Sequence, residues 1–333
     1  MRAYYGQGMR TRLTDLLDIE HPIMLAGMGG VSYHELVAAV SEAGGIGTFG
    51  AAPMGPGQLD AEIAAVHKLT NKPFGVDLLA AIPGQLEKDV ESIIKGGARI
   101  FVAGLGVPRE IIDVLHKNNI LVGSMCGKVR HAQAALASGC DFVVAQGTEG
   151  GGHTGTVATM ALVPQVVDAV GDKIPVVAAG GLFDGRGLAA SLALGADGVW
   201  MGTRFIATQE ANVDPEYARM LTEGHSEDLM FTPKIAGVAA NWLVPSMERL
   251  GLDPKNLPQP AGHGMGYKHL PEGVKPWKNL WSAGQGIDLI DDTPSISDLV
   301  VRLRREYVAA CEAPSYADVA RLVDQAYDAK AVD

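Results

Sequence analysis

The sequence predicts a large α/β domain with the architecture of a (β/α)8 barrel. Three observations support this prediction: eight short apolar runs recur along the chain, segments with helix signals separate them, and glycine-rich turns follow the last two runs. The 333 residues are 47% hydrophobic and 20% charged, so the chain can bury the core of such a barrel. A doubly wound α/β sheet has the same alternation of strands and helices and is the alternative.

The eight predicted strands are apolar throughout, without the alternation of a half-exposed strand. This pattern is typical of parallel strands that are covered on both faces. The predicted strands cover residues 22–25, 45–49, 74–78, 100–103, 121–125, 142–146, 176–179 and 198–201.

The segments between these runs carry the signals that begin and end helices. Ser32 and Glu35 have the spacing of a capping box immediately before the apolar residue Leu36. Gly44 and Gly45 then mark the predicted end of that helix.

The pattern changes after residue 209. Residues 210–292 are irregular, with many Pro and Gly residues, and we predict that they form a lid and substrate subdomain. The barrel would then consist of residues 1–209 and 293–333. A last amphipathic helix is predicted after Thr293-Pro294, with apolar positions at Ile296, Leu299, Val300 and Leu303.

Charge and cysteine content exclude several classes of protein. The 38 acidic and 27 basic residues give a net charge of -11, which would repel nucleic acid and anionic membranes. Cys126, Cys140 and Cys311 are far apart, so the sequence predicts neither a disulfide framework nor a thiolate zinc site. Since residues 1–17 resemble neither a signal peptide nor a membrane anchor, we expect a cytoplasmic protein without a membrane partner.

Two glycine turns predict a phosphate-binding site. Gly180-Gly181 follows the seventh predicted strand, and Gly202-Thr203 follows the eighth. In (β/α)8 barrels the loops after these two strands often bind phosphate, because glycine lets backbone N–H groups approach the ligand. Either pair alone could simply allow a tight turn.

One histidine lies in an unusually glycine-rich loop. Residues 147–155 follow the sixth predicted strand and contain His153 among five glycines. Histidine can accept or donate a proton near neutral pH, and a loop at this end of a barrel is a common place for catalysis. A structural histidine that bonds a carbonyl group is the alternative.

The sequence resembles the nitronate monooxygenase (2-nitropropane dioxygenase) family of FMN-dependent barrels. The resemblance covers about the first 210 residues and one stretch near the C-terminus. It rests on residues 26–30, 43–47, 147–155, 178–187, 195–205 and 281–285.

The resemblance implies that FMN is the cofactor, with its phosphate on the two glycine turns and its ring at the mouth of the barrel. The implied FMN-binding residues are Ala26, Gly27, Met28, Asp77, Met125, Gln146, Gly151, Gly152, Gly180, Gly181, Gly202 and Thr203. His153 matches the catalytic histidine of the family.

The resemblance also implies an activity, namely oxidation of a nitronate with O2 to a carbonyl compound and nitrite, with His153 as base. The alternatives are an NAD(P)H-dependent quinone or enoyl reductase, and a dehydrogenase of a CoA thioester. A flavin-binding or phosphometabolite-binding barrel without turnover is a third hypothesis. The oligomeric state stays open, with a homodimer as one alternative.

Several residues depart from the family pattern. Asp77 replaces an asparagine that many relatives have, and adds a negative charge unless it is protonated or paired. Met125 occupies the place where related quinone and enoyl reductases have a lysine, which Lys128 or Arg130 could replace.

The predicted lid contains two further candidate sites. Lys268, Lys275 and Lys278, with Trp277 and Trp281, could clamp the phosphates of a nucleotide or acyl-CoA, or could simply be a solvated loop with packed tryptophans. His263 and His269 could be a metal pair, but no carboxylate or cysteine set accompanies them, so no metal site is predicted.

Overall fold

The computed structural model describes residues 9–79, 86–104, 106–259, 266–312, 321 and 323. Eight short strands follow one another along the first two thirds of the chain. They are β1 (Ile23–Leu25), β2 (Gly47–Gly50), β3 (Phe74–Leu79), β4 (Ile100–Gly104), β5 (Leu121–Cys126), β6 (Phe142–Gln146), β7 (Val176–Ala179) and β8 (Gly198–Met201).

These strands form one parallel sheet that closes into a barrel. Neighbours pair in the order β1-β8-β7-β6-β5-β4-β3-β2, and Met24 of β1 bridges Ile46, just before β2. The N–H of Leu25 also donates to the carbonyl of Ile46 at 2.9 Å, which completes the ring. The predicted (β/α)8 barrel is confirmed, and each predicted strand end lies within two residues of the observed one.

Helices alternate with the strands and surround the barrel. They are α1 (Arg12–Leu17), which precedes β1, then α2 (His34–Glu42), α3 (Gln58–Leu69), α4 (Leu86–Gly96), α5 (Arg109–Lys117), α6 (Val129–Ser138), α7 (Thr159–Val170) and α8 (Gly185–Ala193). The single-turn helix α9 (Thr203–Ile206) follows β8.

The predicted capping box before α2 is wrong. The helix begins at His34, and its N-cap residue Tyr33 makes no side-chain capping bond. Ser32 is buried, donates its hydroxyl proton to the carbonyl of Ala26 at 3.0 Å and accepts from the N–H of Met28 at 3.1 Å. It therefore fixes the loop after β1, which carries three of the predicted site residues.

Helix α1 closes the end of the barrel at which the strands begin. Leu13 and Leu17 are fully buried and pack with Met24, Ile46 and other interior residues. Because this end is filled, the opposite end, where the strands terminate, is the one that can admit a ligand.

Residues 210–292 form an insertion that contains more regular structure than the sequence indicates. It includes α10 (Pro215–Glu223), an antiparallel hairpin of β9 (Leu229–Thr232) and β10 (Ala240–Leu243), and α11 (Val244–Arg249). Three short 3-10 turns, at Ser226–Asp228, Pro254–Asn256 and Ile287–Leu289, complete the insertion. A separate apolar cluster that includes Ile235, Trp242 and Met247 packs inside it.

The insertion leaves and re-enters the barrel at neighbouring points. The N–H of Gln209 donates to the carbonyl of Pro294 at 3.1 Å, and the N–H of Ile296 donates to the Glu210 carboxylate at 3.0 Å. Helix α12 (Ile296–Glu312) then packs against α8, so close that a Cβ on Gly185 would overlap its backbone.

The predicted last helix is therefore confirmed. Its four predicted apolar positions, Ile296, Leu299, Val300 and Leu303, are all buried. Among the helices of the described ranges, none is long and apolar enough to cross a bilayer.

Candidate functional site

The predicted site residues lie at the ends of the strands, on the face that α1 leaves open. Ala26, Gly27 and Met28 follow β1, Asp77 lies in β3 and Met125 lies in β5. Gln146 ends β6, and the loop that follows contains Gly151 and Gly152. Gly180 and Gly181 follow β7, and Gly202 and Thr203 follow β8. Because the strands are parallel, these positions share one rim of the barrel.

Close contacts join the loops after β1 and β8 to β3. A Cβ placed on Gly27 would overlap the side chain of Asp77 and lie 2.7 Å from its Oδ2. A Cβ on Gly202 would lie 3.2 Å from the Sδ of Met28 and 3.4 Å from the Cβ of Ala26. The structure therefore brings these five predicted residues together.

Burial favours the protonated, neutral form of Asp77. Its side chain is partly buried, and desolvation raises its pKa to about 8. No described residue forms a hydrogen bond or an ion pair with the carboxyl group. The protonated form, which predominates below about pH 8, adds no negative charge and can donate a hydrogen bond.

The two glycine turns present free backbone donors at the rim. Gly180 and Gly181 have φ values of 96° and 68°, in the left-handed region where a side chain is strained. Gly202 is the N-cap of α9, and Thr203 is its first residue. No acceptor within the described ranges takes a hydrogen bond from the backbone N–H of any of these four residues. Such unpaired donors suit an anion.

Residues 284 and 285 bond to the second glycine turn and to the histidine loop. The N–H of Gly284 donates to the hydroxyl oxygen of Thr203 at 3.0 Å, which leaves the hydroxyl proton free to donate elsewhere. The N–H of Gln285 donates to the carbonyl of Glu149 at 2.9 Å. The Glu149 carboxylate accepts from the N–H of Thr159 at 2.9 Å, so its charge lies at the start of α7.

His153 has the properties of a neutral base. It is partly buried, and its Nε2 is buried without a hydrogen-bond partner among the residues that the structure describes. Burial lowers the pKa of the imidazole below its ordinary value, because it disfavours the charged form. At neutral pH, Nε2 or Nδ1 is therefore available to accept a proton.

Trp277 covers the imidazole. The ring centroids of His153 and Trp277 are 4.6 Å apart, and Trp277 in turn contacts Trp242 at 4.9 Å. Trp277 has a φ of 60°, which is uncommon for a bulky residue. This contact joins residues that are far apart in the sequence, and no sequence signal indicated it.

The backbone of the histidine loop is tied to the insertion. The N–H of Thr154 donates to the carbonyl of Ala239 at 2.9 Å, and the side chain of Asn241 donates to the carbonyls of Thr148 and Gly150. Sequence reasoning missed Asn241 entirely, because a single asparagine near a predicted turn has no distinctive signature.

Met125, which lies where related reductases have a lysine, leaves β5 without a cation at the site. Met125 packs against the apolar interior of the barrel. Lys128 is the N-cap of α6 and Arg130 lies in its first turn, and both side chains are exposed. Nothing in these positions supports a replacement for the lysine of related reductases.

The residues of the candidate phosphate clamp in the insertion do not share one environment. Trp281 is buried, stacks on Tyr217 with ring centroids 4.9 Å apart and lies under Arg249, so it is a packed core residue. The three lysines, Lys268, Lys275 and Lys278, are exposed, and Trp277 is partly buried over His153.

Two histidines of the insertion, His263 and His269, were considered as a metal pair, but His263 lies outside the described residues. His269 uses its Nε2 to contact the carbonyl of Lys234 at 2.7 Å. Within the described ranges, no group of three or more His, Cys, Asp or Glu side chains could hold a metal ion.

Comparison with known proteins finds one matching family model and several similar proteins. The family model described as nitronate monooxygenase matches residues 10–89 and 80–306. A probable nitronate monooxygenase of Staphylococcus saprophyticus is 32% identical, with 85% of this chain and 93% of that protein covered. The solved structure of nitroalkane oxidase from Streptomyces ansochromogenes is 30% identical with a TM-score of 0.77, and 90% of this chain and 98% of that chain are covered.

A relative with a different name has higher identity over a shorter region. It is the (3aS,4S,5R,7aS)-5-hydroxy-7a-methyl-1-oxo-octahydro-1H-indene-4-carboxyl-CoA dehydrogenase of Mycobacterium tuberculosis, which is 42% identical over 231 residues. The match covers 69% of this chain and spans 65% of the length of that relative.

Proposed function

The chain belongs to the nitronate monooxygenase family of oxidoreductases, and from this premise we propose that it is an FMN-dependent nitronate monooxygenase with His153 as its catalytic base. The proposed reaction converts an alkyl nitronate and O2 to a carbonyl compound and nitrite. The family and the nitroalkane oxidase neighbour favour a flavin as the class of cofactor. FMN is the specific form that we propose.

The rim of the barrel fits the phosphate of FMN. The free N–H groups of Gly180, Gly181, Gly202 and Thr203 would hold the phosphate, which needs donors and close approach more than it needs a cation. This arrangement also explains how an acidic protein could retain an anionic cofactor.

The same rim leaves room for a flat ring. Apart from its two chain neighbours, no described residue has an atom within 4 Å of a Cβ placed on Gly152, whereas the space at Gly27 is taken by the side chain of Asp77, which would border the ring. Met28, Met125 and Gln146 would border the ring. When bound, FMN supplies a two-electron acceptor whose reduced form reacts with O2.

The observation that carries the proposal is the buried, unpartnered Nε2 of His153 in a loop that borders this rim. A nitroalkane must lose a proton from the carbon that bears the nitro group before it becomes a nitronate. Nε2 can accept this proton while the electron pair of the C–H bond moves into the nitro group. The lowered pKa keeps His153 in the neutral form that this step requires.

Trp277 and Asp77 support the same step. Trp277 shields the imidazole from water on one side, which strengthens the attraction between the imidazolium and the nitronate that form together. Asp77 is protonated at neutral pH and therefore adds no charge that would repel the nitronate.

The test compares a nitroalkane with the corresponding nitronate in FMN-loaded wild-type protein and in His153→Ala. We expect wild type to consume O2 and release nitrite with both. In His153→Ala, kcat/KM for the nitroalkane should fall about 10²- to 10⁴-fold, and that for the nitronate should fall less, because its proton has already been removed. His131→Ala, an exposed histidine of α6, is the matched control.

The pH dependence adds a second measurement. For the nitroalkane, kcat/KM should rise with pH through a midpoint below the ordinary histidine value of about 6.5 and be level at neutral pH. If FMN-loaded wild type neither consumes O2 nor releases nitrite with short nitronates, the proposed activity is wrong.

A second candidate function is dehydrogenation of a CoA thioester. The relative from Mycobacterium tuberculosis carries that activity in its name, and the exposed Lys268, Lys275 and Lys278 could bind the phosphates of CoA near the covered histidine. Anaerobic bleaching of the flavin by an acyl-CoA would favour this candidate, whereas bleaching by NADH or NADPH would favour a reductase. The double variant Lys275→Ala/Lys278→Ala should then weaken acyl-CoA binding, while Lys255→Ala, another exposed lysine of the insertion, should not.

A further inference from the structure

Strand β10 of the insertion lies beside the loop that carries His153, and Asn241 makes the closest connection. The side chain is 1% exposed. Its Nδ2 donates to the carbonyl of Thr148 at 2.8 Å and to that of Gly150 at 2.7 Å. Its Oδ1 accepts from the Nε2 of Gln285 at 3.3 Å. Both donors of the amide are thus used on the histidine loop.

Two backbone bonds extend this connection, one that ties Asn241 to the segment after Trp281 and one that holds the loop after His153. The N–H of Ala283 donates to the carbonyl of Asn241 at 3.2 Å, and the N–H of Thr154 donates to the carbonyl of Ala239 at 2.9 Å. With the bond from the N–H of Gln285 to the carbonyl of Glu149, the insertion anchors the loop at three carbonyls before His153 and at one N–H after it. Only residues 151–153 lie between these anchors.

The other face of β10 is linked to the imidazole ring through Trp277. Successive side chains of a strand point to opposite faces, so Trp242 points away from Asn241. Trp242 is fully buried and contacts Trp277, which lies over His153. One strand thus holds the backbone of the loop with Asn241 and supports the cover of the ring with Trp242.

The loop needs such anchors because of its composition. Gly150, Gly151 and Gly152 precede His153, and consecutive glycines have greater backbone freedom than any other residues. A base must be held within a fraction of an ångström of its working position, since a misplacement of 1 Å can lower a rate on the order of 10²-fold.

We propose that Asn241 is a positioning residue for His153, through which the inserted hairpin fixes the catalytic base above the barrel. This inference rests on the proposed role of His153. It assigns the insertion a part in placing the base, in addition to covering the site.

The test uses Asn241→Ala and Asn241→Asp in the FMN-loaded full chain, with Ser246→Ala as control. Asn241→Asp keeps the shape of the side chain but replaces the NH2 group with an oxygen atom, which cannot donate to the two carbonyls. Ser246 is equally buried in the insertion and bonds Leu243 and Trp281, but it does not contact the histidine loop. It therefore reports the effect of a general loss of stability.

We expect both Asn241 variants to lower kcat for a nitroalkane on the order of 10²-fold, with KM and the dissociation constant of FMN changed less than about twofold. The midpoint of the pH profile should move upward as His153 becomes solvated. Ser246→Ala should leave the profile unchanged. Equal losses in Asn241→Ala and Ser246→Ala, or an unshifted profile, would overturn the proposal.

A measurement without turnover separates this proposal from the proposed function. NMR titration of histidines labelled at Cε1, with His153 assigned from His153→Ala, gives its pKa directly, and hydrogen exchange gives the protection of amides 148–154. In Asn241→Ala the pKa of His153 should rise and the protection should fall, even if no nitroalkane is a substrate. Unchanged values would overturn the positioning role alone.

Discussion

The two regions of the candidate site are built on different principles. The proposed phosphate region consists of backbone groups at the ends of β7 and β8, and its shape depends on positive φ values at Gly180 and Gly181. The base region consists of one side chain, His153, held by contacts from an insertion about 90 residues farther along the chain. The proposed phosphate site thus takes its donors from the barrel and only a brace, Gly284, from the insertion, whereas the proposed base is held mainly by the insertion.

The strongest test of this division is Gly180→Ala. The alanine would adopt an unfavourable left-handed φ of 96°, and its Cβ would lie 2.8 Å from the carbonyl of Gly147. Together these effects should destabilise the turn by roughly 2–3 kcal/mol and weaken FMN binding about 100-fold. Fluorescence titration with FMN measures the change.

Gly139→Ala is the matched control for that variant. Gly139 has a φ of 100°, but the nearest atom to its Cβ position is 3.9 Å away, and it precedes β6 at the closed end of the barrel. It should lose stability without losing FMN affinity. Equal weakening of FMN binding in both variants would contradict a local phosphate site.

Asp77 lies at the rim between the two regions. Its substitution tests whether its carboxyl group is uncharged in the folded protein. Its folded pKa is raised to about 8, and its unfolded value is near 3.9, so only the folded protein retains the proton between these pH values. The stability of wild type relative to Asp77→Asn should therefore decrease as pH rises from about 4 to about 8. Since Asp77 is partly exposed, the slope should be roughly 1 kcal/mol per pH unit at most.

Urea unfolding of both proteins at pH 5 and pH 8 measures this difference. The control is Asp172→Asn, because Asp172 is exposed and its pKa is lowered by the hydrogen bond from Lys173, so it is ionised at both pH values. Its effect on stability should be the same at pH 5 and pH 8. A similarly constant effect for Asp77→Asn would show that Asp77 is ionised or paired.

The smallest effect is expected from Trp277→Gly, which affects only the base region. Removing the ring should raise the pKa of His153 by less than about one unit, because part of its desolvation is lost. The glycine also accepts the positive φ, which offsets part of the packing energy lost with the ring. Trp277→Phe keeps a ring and should keep the pH profile; a Trp277→Gly profile identical to that of wild type would argue against shielding.

The barrel could be predicted from the sequence because local rules determine it. Apolar runs such as 142–146 and 176–179 coincide with β6 and β7, since buried parallel strands leave little room for polar residues. The glycine turns could be found because their position after the last two strands is itself a signal. The predicted capping box at Ser32 is wrong because the Ser32 hydroxyl instead bonds to the backbone of Ala26 and Met28 in the loop after β1.

The base region could be predicted only in part. His153 was found from its glycine-rich loop, but Asn241 and the cover by Trp277 depend on how the insertion folds back over the rim. These contacts link residues about 90 to 125 positions apart, and neither spacing nor composition encodes them. The neutrality of Asp77 likewise follows from burial, which only the structure shows.

The hydrogen bonds between Gln209 and Pro294 and between Glu210 and Ile296 have a consequence for how such enzymes diversify. Because the two ends of the insertion meet, its length contributes only a slowly growing loop-closure entropy to the rest of the fold. A segment of different size or sequence can be exchanged at this junction while β8 and α12 keep their places. The junction is thus a place where the insertion can be replaced without rebuilding the barrel, provided that the new segment keeps contacts equivalent to those of Asn241, Trp277 and Gly284.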